Sequence, residues 1–182
     1  MSKFGLLLSF VLILIVLYSF TNDSDIESVY DANKAEQQWL REVLPQAIDW
    51  VRSQERKYIP EGQHLTDQEM AIAKTMGVLQ PDQIRIILTE HFPMPTVQPL
   101  RDELISLGFD STKLIGLTLG YAILINPKEN EGKWLLSHEF VHVTQYERMG
   151  LEKFLGHYLL GLKRFGYARA PLEVEAYEKQ LE

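Results

Sequence analysis

The chain of 182 residues contains no cysteine and no cluster of basic residues. The lack of thiols excludes disulfides, thiolate zinc sites, iron–sulfur clusters and a cysteine nucleophile. Any metal site must therefore use His, Asp or Glu. The chain has 18 basic and 25 acidic residues, a formal net charge of −7. This balance argues against nucleic acid as a partner, because phosphate neutralisation needs a clustered basic surface.

One long apolar run lies at the N-terminus. The 17 residues from Phe4 to Phe20 carry no charge and are preceded by Lys3. A helix of this length spans about 25 Å, close to the hydrocarbon core of a thin bilayer. Because no small-residue cleavage site follows, residues 1–22 are predicted to be a membrane anchor rather than a removed signal peptide. The positive-inside rule places the N-terminus in the cytoplasm and the domain outside it, in the periplasm if the cell is Gram-negative. A cleaved signal would make the protein secreted.

The remainder of the chain is predicted to be α+β and mostly helical, with a small β-sheet. We divide it into a helical stem, residues 23–65, and a globular domain, residues 66–182. Strict alternation of bulky and small residues over 116–126 predicts one strand. Apolar spacing and turn residues predict helices, which lie near 28–58, 66–77, 100–107, 133–148, 152–164 and 171–182. The second of these opens with a capping box, in which Thr66 caps the helix and Glu69 reaches back to the cap. The compact β-type run Ile84 to Leu88 predicts a further strand.

The most informative motif is His138-Glu139-Phe140-Val141-His142, an H-E-x-x-H sequence. On a helix the two histidines are one turn apart and differ by about 40° in direction. Two imidazoles so placed can bind one zinc ion. Glu139 points about 100° away from His138, so its carboxylate can accept a proton beside the metal instead of acting as an equal ligand. A helix whose histidines are merely packed or capped is the alternative interpretation.

A catalytic zinc site needs a third protein ligand. A third histidine six residues after His142 is excluded, because that position is Arg148. The later helix that starts at Pro171 offers Glu173 and Glu175, which differ by about 200° in direction, so only one of them can face the metal.

The two segments together resemble the gluzincin branch of the zincin metallopeptidases, including small, largely uncharacterised bacterial proteins with the same motif. The resemblance covers roughly residues 116–178. It implies a zincin-like domain over 66–182, in which Zn²⁺ is bound by His138, His142 and a later glutamate. The E-x-x-A pattern of such families favours Glu173, which is followed by Ala176, over Glu175.

The resemblance also suggests how a substrate binds. In zincins an edge strand beside the metal helix pairs with an extended peptide, and Tyr121, Ala122 and Ile123 are the residues predicted for that role. An ordinary sheet strand is an equally good interpretation of the same residues. Of three tyrosines that can donate to an oxyanion, Tyr146, Tyr158 and Tyr167, the last is preferred because it precedes the ligand helix.

The leading functional hypothesis is a membrane-anchored zinc peptidase with Glu139 as its general base, acting on a peptide or protein substrate. Two alternatives remain open: a membrane-tethered binding module with a vestigial or structural metal site, and a metal-dependent hydrolase of a cell-wall amide. The presence of Glu139 favours catalysis, since a structural metal site has no need of a base beside its ligands.

Overall fold

The computed structural model describes residues 32–128 and 133–182. Within these ranges the chain forms six α-helices and four short strands. In chain order they are α1 (Lys34–Tyr58), β1 (Gln63–His64), α2 (Asp67–Thr75), β2 (Arg85–Leu88), α3 (Leu100–Ser106), β3 (Gly116–Leu119), β4 (Ala122–Ile125), α4 (Lys133–Met149), α5 (Leu151–Phe165) and α6 (Pro171–Lys179).

The four strands form one mixed sheet in the order β1-β2-β4-β3. Strand β4 is parallel to β2 and antiparallel to β3, and β1 is antiparallel to β2. All four residues of β4 are buried. Strand β4 therefore has a strand on either side and packed side chains on both faces. This burial explains why its sequence is apolar at every position.

The sheet separates two hydrophobic clusters. Ala122 and Leu124 pack in a cluster that includes Val43 of α1 and Leu160 of α5. Ile123 and Ile125 point the opposite way, into a cluster formed with α2 and α4. The period-two alternation of β4 therefore connects the two parts of the core. Helix α1 falls in the segment assigned above to a stem, and its buried face belongs to the first of these clusters.

The single strand predicted over 116–126 is wrong, because the chain reverses direction in its middle. Leu119 pairs with Ala122, so Gly120 and Tyr121 form a two-residue hairpin turn. Gly120 has φ +68°, which favours glycine, and no other residue type in the described segments has a positive φ. Paired residues point to the same face of a sheet, so Leu117 and Leu119 face the same cluster as Ala122 and Leu124, whereas Ile123 and Ile125 face the opposite one. The bulky and small residues still alternate along the sequence, but the turn exchanges the two faces.

The predicted membrane anchor, residues 1–22, and with it the predicted location in the cell membrane, find no support in the described part of the chain. No helix in residues 32–128 and 133–182 is both long and apolar enough to cross a membrane. Helix α1 has the length, 25 residues, but it carries charged side chains throughout and buries only one face in the core. Residues 4–20, on which the prediction was based, lie outside the described residues.

Candidate metal centre

Helix α4 carries the H-E-x-x-H motif through the interior of the domain. Its residues 135–143 are all buried, including His138 and His142, which are 4% and 6% exposed. The two imidazole rings lie one helical turn apart, and their Nε2 atoms are separated by 3.2 Å. The helical period thus brings both nitrogen atoms to one point, as the spacing of the motif predicts.

Glu173 completes this group from the first turn of α6. Pro171 begins that helix. Proline is tolerated there because an N–H at the first position of a helix has no acceptor within the helix. The carboxylate of Glu173 lies 3.4 Å from Nε2 of His138 through Oε2 and 3.5 Å from Nε2 of His142 through Oε1. His138, His142 and Glu173 are all buried, and their ligand atoms lie within 4.8 Å of one another. These three residues can hold a metal ion.

The geometry of the group fits a small divalent cation. In a tetrahedral site with bonds of 2.0–2.1 Å, two donor atoms are about 3.3–3.4 Å apart, and here the separations are 3.2, 3.4 and 3.5 Å. Oε2 of Glu173 is buried and has no hydrogen-bond partner within the described residues. A buried carboxylate oxygen in that state is stabilised by a cation. Two imidazoles and one carboxylate suit zinc and several other transition metals, so the donor set does not identify the metal.

Two glutamine side chains orient the imidazoles. Oε1 of Gln145 lies 2.8 Å from Nδ1 of His142, and Oε1 of Gln180 lies 3.1 Å from Nδ1 of His138. An acceptor at each Nδ1 favours the tautomer with the proton on Nδ1 and the lone pair on Nε2. Two lone pairs 3.2 Å apart repel each other unless a proton or a metal ion lies between them. Sequence analysis did not identify either glutamine. Gln145 follows His142 by three residues on the same helix, whereas nothing in the sequence connects Gln180 with His138.

The electrostatics of the group also favour a positive charge at its centre. Burial alone lowers the pKa of His138, but the nearby carboxylates of Glu173 and Glu139 outweigh it and raise the pKa. Burial likewise raises the pKa of Glu173, and the neighbouring His138, His142 and Tyr158 more than reverse this, leaving it lowered. The hydroxyl of Tyr158 donates to Oε1 of Glu173 over 2.6 Å. Tyr158, one of the three tyrosines considered from sequence, therefore contacts a candidate ligand.

Glu139 lies beside this centre, between α4 and strand β3. It is 5% exposed, and its Oε2 accepts a hydrogen bond from the hydroxyl of Thr118 over 2.6 Å. Burial raises the pKa of Glu139, and the nearby His142 and His138 oppose the rise only in part. The space for its Oε1 exists because Gly116 has no Cβ, which would lie 2.2 Å from that oxygen. Glu139 is thus a buried carboxylate with an elevated proton affinity.

Glu175 does not face the histidines. Its carboxylate accepts hydrogen bonds from Arg148, Lys179 and Gln145. Burial raises the pKa of Glu175, but the hydrogen bonds from Arg148 and Lys179 reverse the shift and lower it. The ordinary helical angle between Glu173 and Glu175 accounts for their different partners.

The other residues predicted for the site lie around it or away from it. Tyr167 is half exposed, and its hydroxyl lies 3.4 Å from that of Tyr177. The ring of Tyr177 is 4.6 Å from that of His138, measured between centroids, so this tyrosine pair adjoins the candidate metal centre at the surface. Tyr146 packs edge-on against Tyr121.

The prediction that Tyr121, Ala122 and Ile123 form a substrate-binding edge is wrong. Tyr121 is in the hairpin turn, and the other two belong to β4, which is hydrogen-bonded to β2 on one side and β3 on the other. Ala122 and Ile123 are fully buried. The edge strand beside the metal centre is β3, whose Thr118 contacts Glu139.

Comparison with known proteins returned no match, whether with protein families, with curated proteins or with solved structures.

Proposed function

We propose that this protein is a zinc-dependent peptidase of the gluzincin type. The observation that carries the proposal is the convergence of His138, His142 and Glu173, with a buried carboxylate, Glu139, beside them. Zinc is the metal proposed because two imidazoles and a carboxylate form a common catalytic zinc site, which leaves a further position open.

Each residue has a distinct part in the proposed reaction. A bound zinc ion would polarise the substrate carbonyl and lower the pKa of a coordinated water to about 7. Glu139 takes the proton that the attacking water loses and delivers it to the leaving amine. Its elevated pKa suits this exchange, because a base whose pKa approaches the working pH both accepts and donates protons effectively. The hydroxyl of Tyr167 donates to the developing oxyanion, a role supported by its position near Glu173, whose charge, after burial, raises the pKa of Tyr167.

A peptide is the proposed substrate because β3 is an edge strand beside Glu139. Among the described strands β3 pairs only with β4, so no described strand is paired with its outer side, where an extended chain would add by main-chain hydrogen bonds. The alternative of a non-catalytic metal site is disfavoured by the buried Glu139. A carboxylate that is not needed as a ligand is costly to bury, and here one threonine hydroxyl is its hydrogen-bond partner.

The test is metal analysis and peptide hydrolysis with the full chain, comparing wild type with Glu139→Gln and Glu173→Gln. The wild type should bind about one zinc ion per chain and cleave peptides from an unstructured peptide library. Glu139→Gln should keep the zinc and lose cleavage, whereas Glu173→Gln should lose both. A wild type that binds no zinc contradicts the site, and undiminished cleavage by Glu139→Gln contradicts the general base.

A further inference from the structure

Glu175, the acidic residue that does not join the metal centre, is connected to it by buried hydrogen bonds. Its Oε2 accepts from Nε2 of Gln145 over 2.9 Å, and Oε1 of Gln145 lies 2.8 Å from Nδ1 of His142. Gln145 is fully buried and Glu175 is 3% exposed. We propose that Glu175 is a positioning residue that acts through Gln145 to set the tautomer of His142. The inference rests on the proposed function, in which His142 is a metal ligand.

The orientation of the Gln145 amide is determined by its partners. Its Nε2 donates to two acceptors, the carbonyl of Leu172 and Oε2 of Glu175, each over 2.9 Å. Rotating the amide by half a turn would place its oxygen against both of these acceptors. In the observed orientation Oε1 faces His142, so the Nδ1 of His142 must carry the proton. The lone pair of His142 is then on Nε2, the atom that faces His138 and Glu173.

Glu175 must be a carboxylate for this arrangement to hold. Arg148 donates to both carboxylate oxygens over 3.1 Å, and Lys179 donates to Oε1 over 2.6 Å. Together with Gln145, these side chains donate two hydrogen bonds to each carboxylate oxygen of Glu175. A carboxamide at position 175 can present an oxygen to only part of this set. With its oxygen toward Lys179, its NH₂ group would face Nε2 of Gln145, placing donor against donor.

The consequence of that conflict is a change at His142. The Gln145 amide relieves it by rotating, so that its oxygen faces position 175 and its NH₂ group faces Nδ1 of His142, at the cost of the hydrogen bond to the carbonyl of Leu172. His142 must then accept at Nδ1 and carry its proton on Nε2, where it can no longer bind a metal. Loss of a group that orients a metal ligand typically weakens metal affinity by 10- to 100-fold.

The experiment measures the His142 tautomer and zinc affinity in the full chain. Long-range ¹H–¹⁵N NMR on metal-free protein at alkaline pH distinguishes a proton on Nδ1 from one on Nε2. Zinc affinity is measured by competition with a chelator of known affinity. The variants are Glu175→Gln, Gln145→Leu and the double substitution. Glu178→Gln, at an exposed position on the same helix, is the matched control.

The wild type and Glu178→Gln should have the Nδ1–H tautomer at His142. Glu175→Gln should shift His142 toward Nε2–H and weaken zinc binding by at least about tenfold. Because Glu175 acts through Gln145, adding Glu175→Gln to Gln145→Leu should weaken zinc binding no further. An effect of the same size in both backgrounds would overturn the proposal.

Measuring the His142 tautomer in the wild type tests the proposal without relying on any variant to fold. A wild-type His142 protonated on Nε2 contradicts the inference directly. A wild type that has the Nδ1–H tautomer but binds no zinc contradicts the proposed function and leaves the link from Glu175 to His142 in place. The two failures are therefore distinguishable.

Discussion

Oε1 of Glu139 lies only 2.2 Å from the point where a Cβ on Gly116 would be. Gly116 does not have a positive φ, so its backbone conformation is open to other residues. The reason for glycine at this position is the carboxylate that occupies the space beside it. An edge strand and the H-E-x-x-H helix are thereby brought closer together than any side chain on residue 116 would permit.

Gly116→Ala should displace the Glu139 carboxylate. A Cβ at this position would also lie 2.9 Å from Cδ of Glu139 and 3.1 Å from Leu135, so the carboxylate must move or the strand must shift. We expect peptide hydrolysis to fall by at least about tenfold, because misplacing a catalytic group by about 1 Å is that costly. Zinc content should be unchanged, since Glu139 is not among the ligands. The same substitution in a Glu139→Gln background should cause little further loss; a large one would show that Gly116 acts independently of Glu139.

Removing the metal should destabilise the fold. The Oε2 atom of Glu173 is buried without a hydrogen-bond partner among the described residues, and the two histidine Nε2 atoms face each other. Zinc at about 100 times its dissociation constant should increase the free energy of unfolding by about 2.7 kcal/mol. Thermal unfolding with and without a chelator measures this gain. Glu173→Gln should abolish the response to zinc, and Glu178→Gln should retain it; a full response in Glu173→Gln would remove Glu173 from the ligand set.

Tyr158→Phe should weaken zinc binding while preserving the fold. The substitution removes the hydroxyl that donates to Oε1 of Glu173 over 2.6 Å, but it keeps the ring that packs against Phe154 and His142. We expect a loss of affinity of about tenfold, the usual effect of removing a hydrogen bond to a metal ligand. Chelator competition measures it, and Tyr146→Phe, whose hydroxyl does not contact the centre, serves as the control. Unchanged affinity in Tyr158→Phe would show that this hydroxyl does not orient Glu173.

The ion pair between Glu36 and Arg164 should make stability depend on pH in the acid range. Arg164 donates to both carboxylate oxygens over 2.8 and 2.7 Å and connects the start of α1 to the end of α5. The hydrogen bond from Arg164 lowers the pKa of Glu36 from 4.5 to about 2. Because the folded pKa is below the unfolded one, the pair stabilises fully above about pH 4.5 and loses its effect as the pH falls toward 2.

Glu36→Gln isolates this contribution. At neutral pH the variant should be less stable than the wild type by about 1 kcal/mol, typical of a well-formed but partly exposed pair. The difference should shrink as the pH is lowered, which urea unfolding at several pH values will measure. A difference that stays constant with pH would show that the loss does not come from the negative charge of Glu36.

The features that the sequence determines by itself are those whose partners are a few residues apart. His138 and His142 share one face of α4 because the helical period alone places them there. Thr66 caps α2 and Glu69 reaches back to it, as their spacing predicts. The helices near 100–107, 133–148 and 152–164 also follow from local apolar spacing and glycine at their ends, and the structure confirms each of them within a residue or two.

Tertiary structure decided the questions that depend on distant parts of the chain. The sequence leaves Glu173 and Glu175 equivalent except by analogy, and only the packing of α6 against α4 turns one toward the histidines and the other toward Arg148. The reversal at Gly120 is hidden because the bulky and small residues alternate along the sequence through the turn, although the turn moves Ile123 and Ile125 to the face opposite Leu117 and Leu119. Gln180 reaches His138 across 42 residues, a contact that leaves no periodic trace. Local spacing specifies the direction of a side chain relative to its own element, whereas the partner that it meets depends on how the whole core packs.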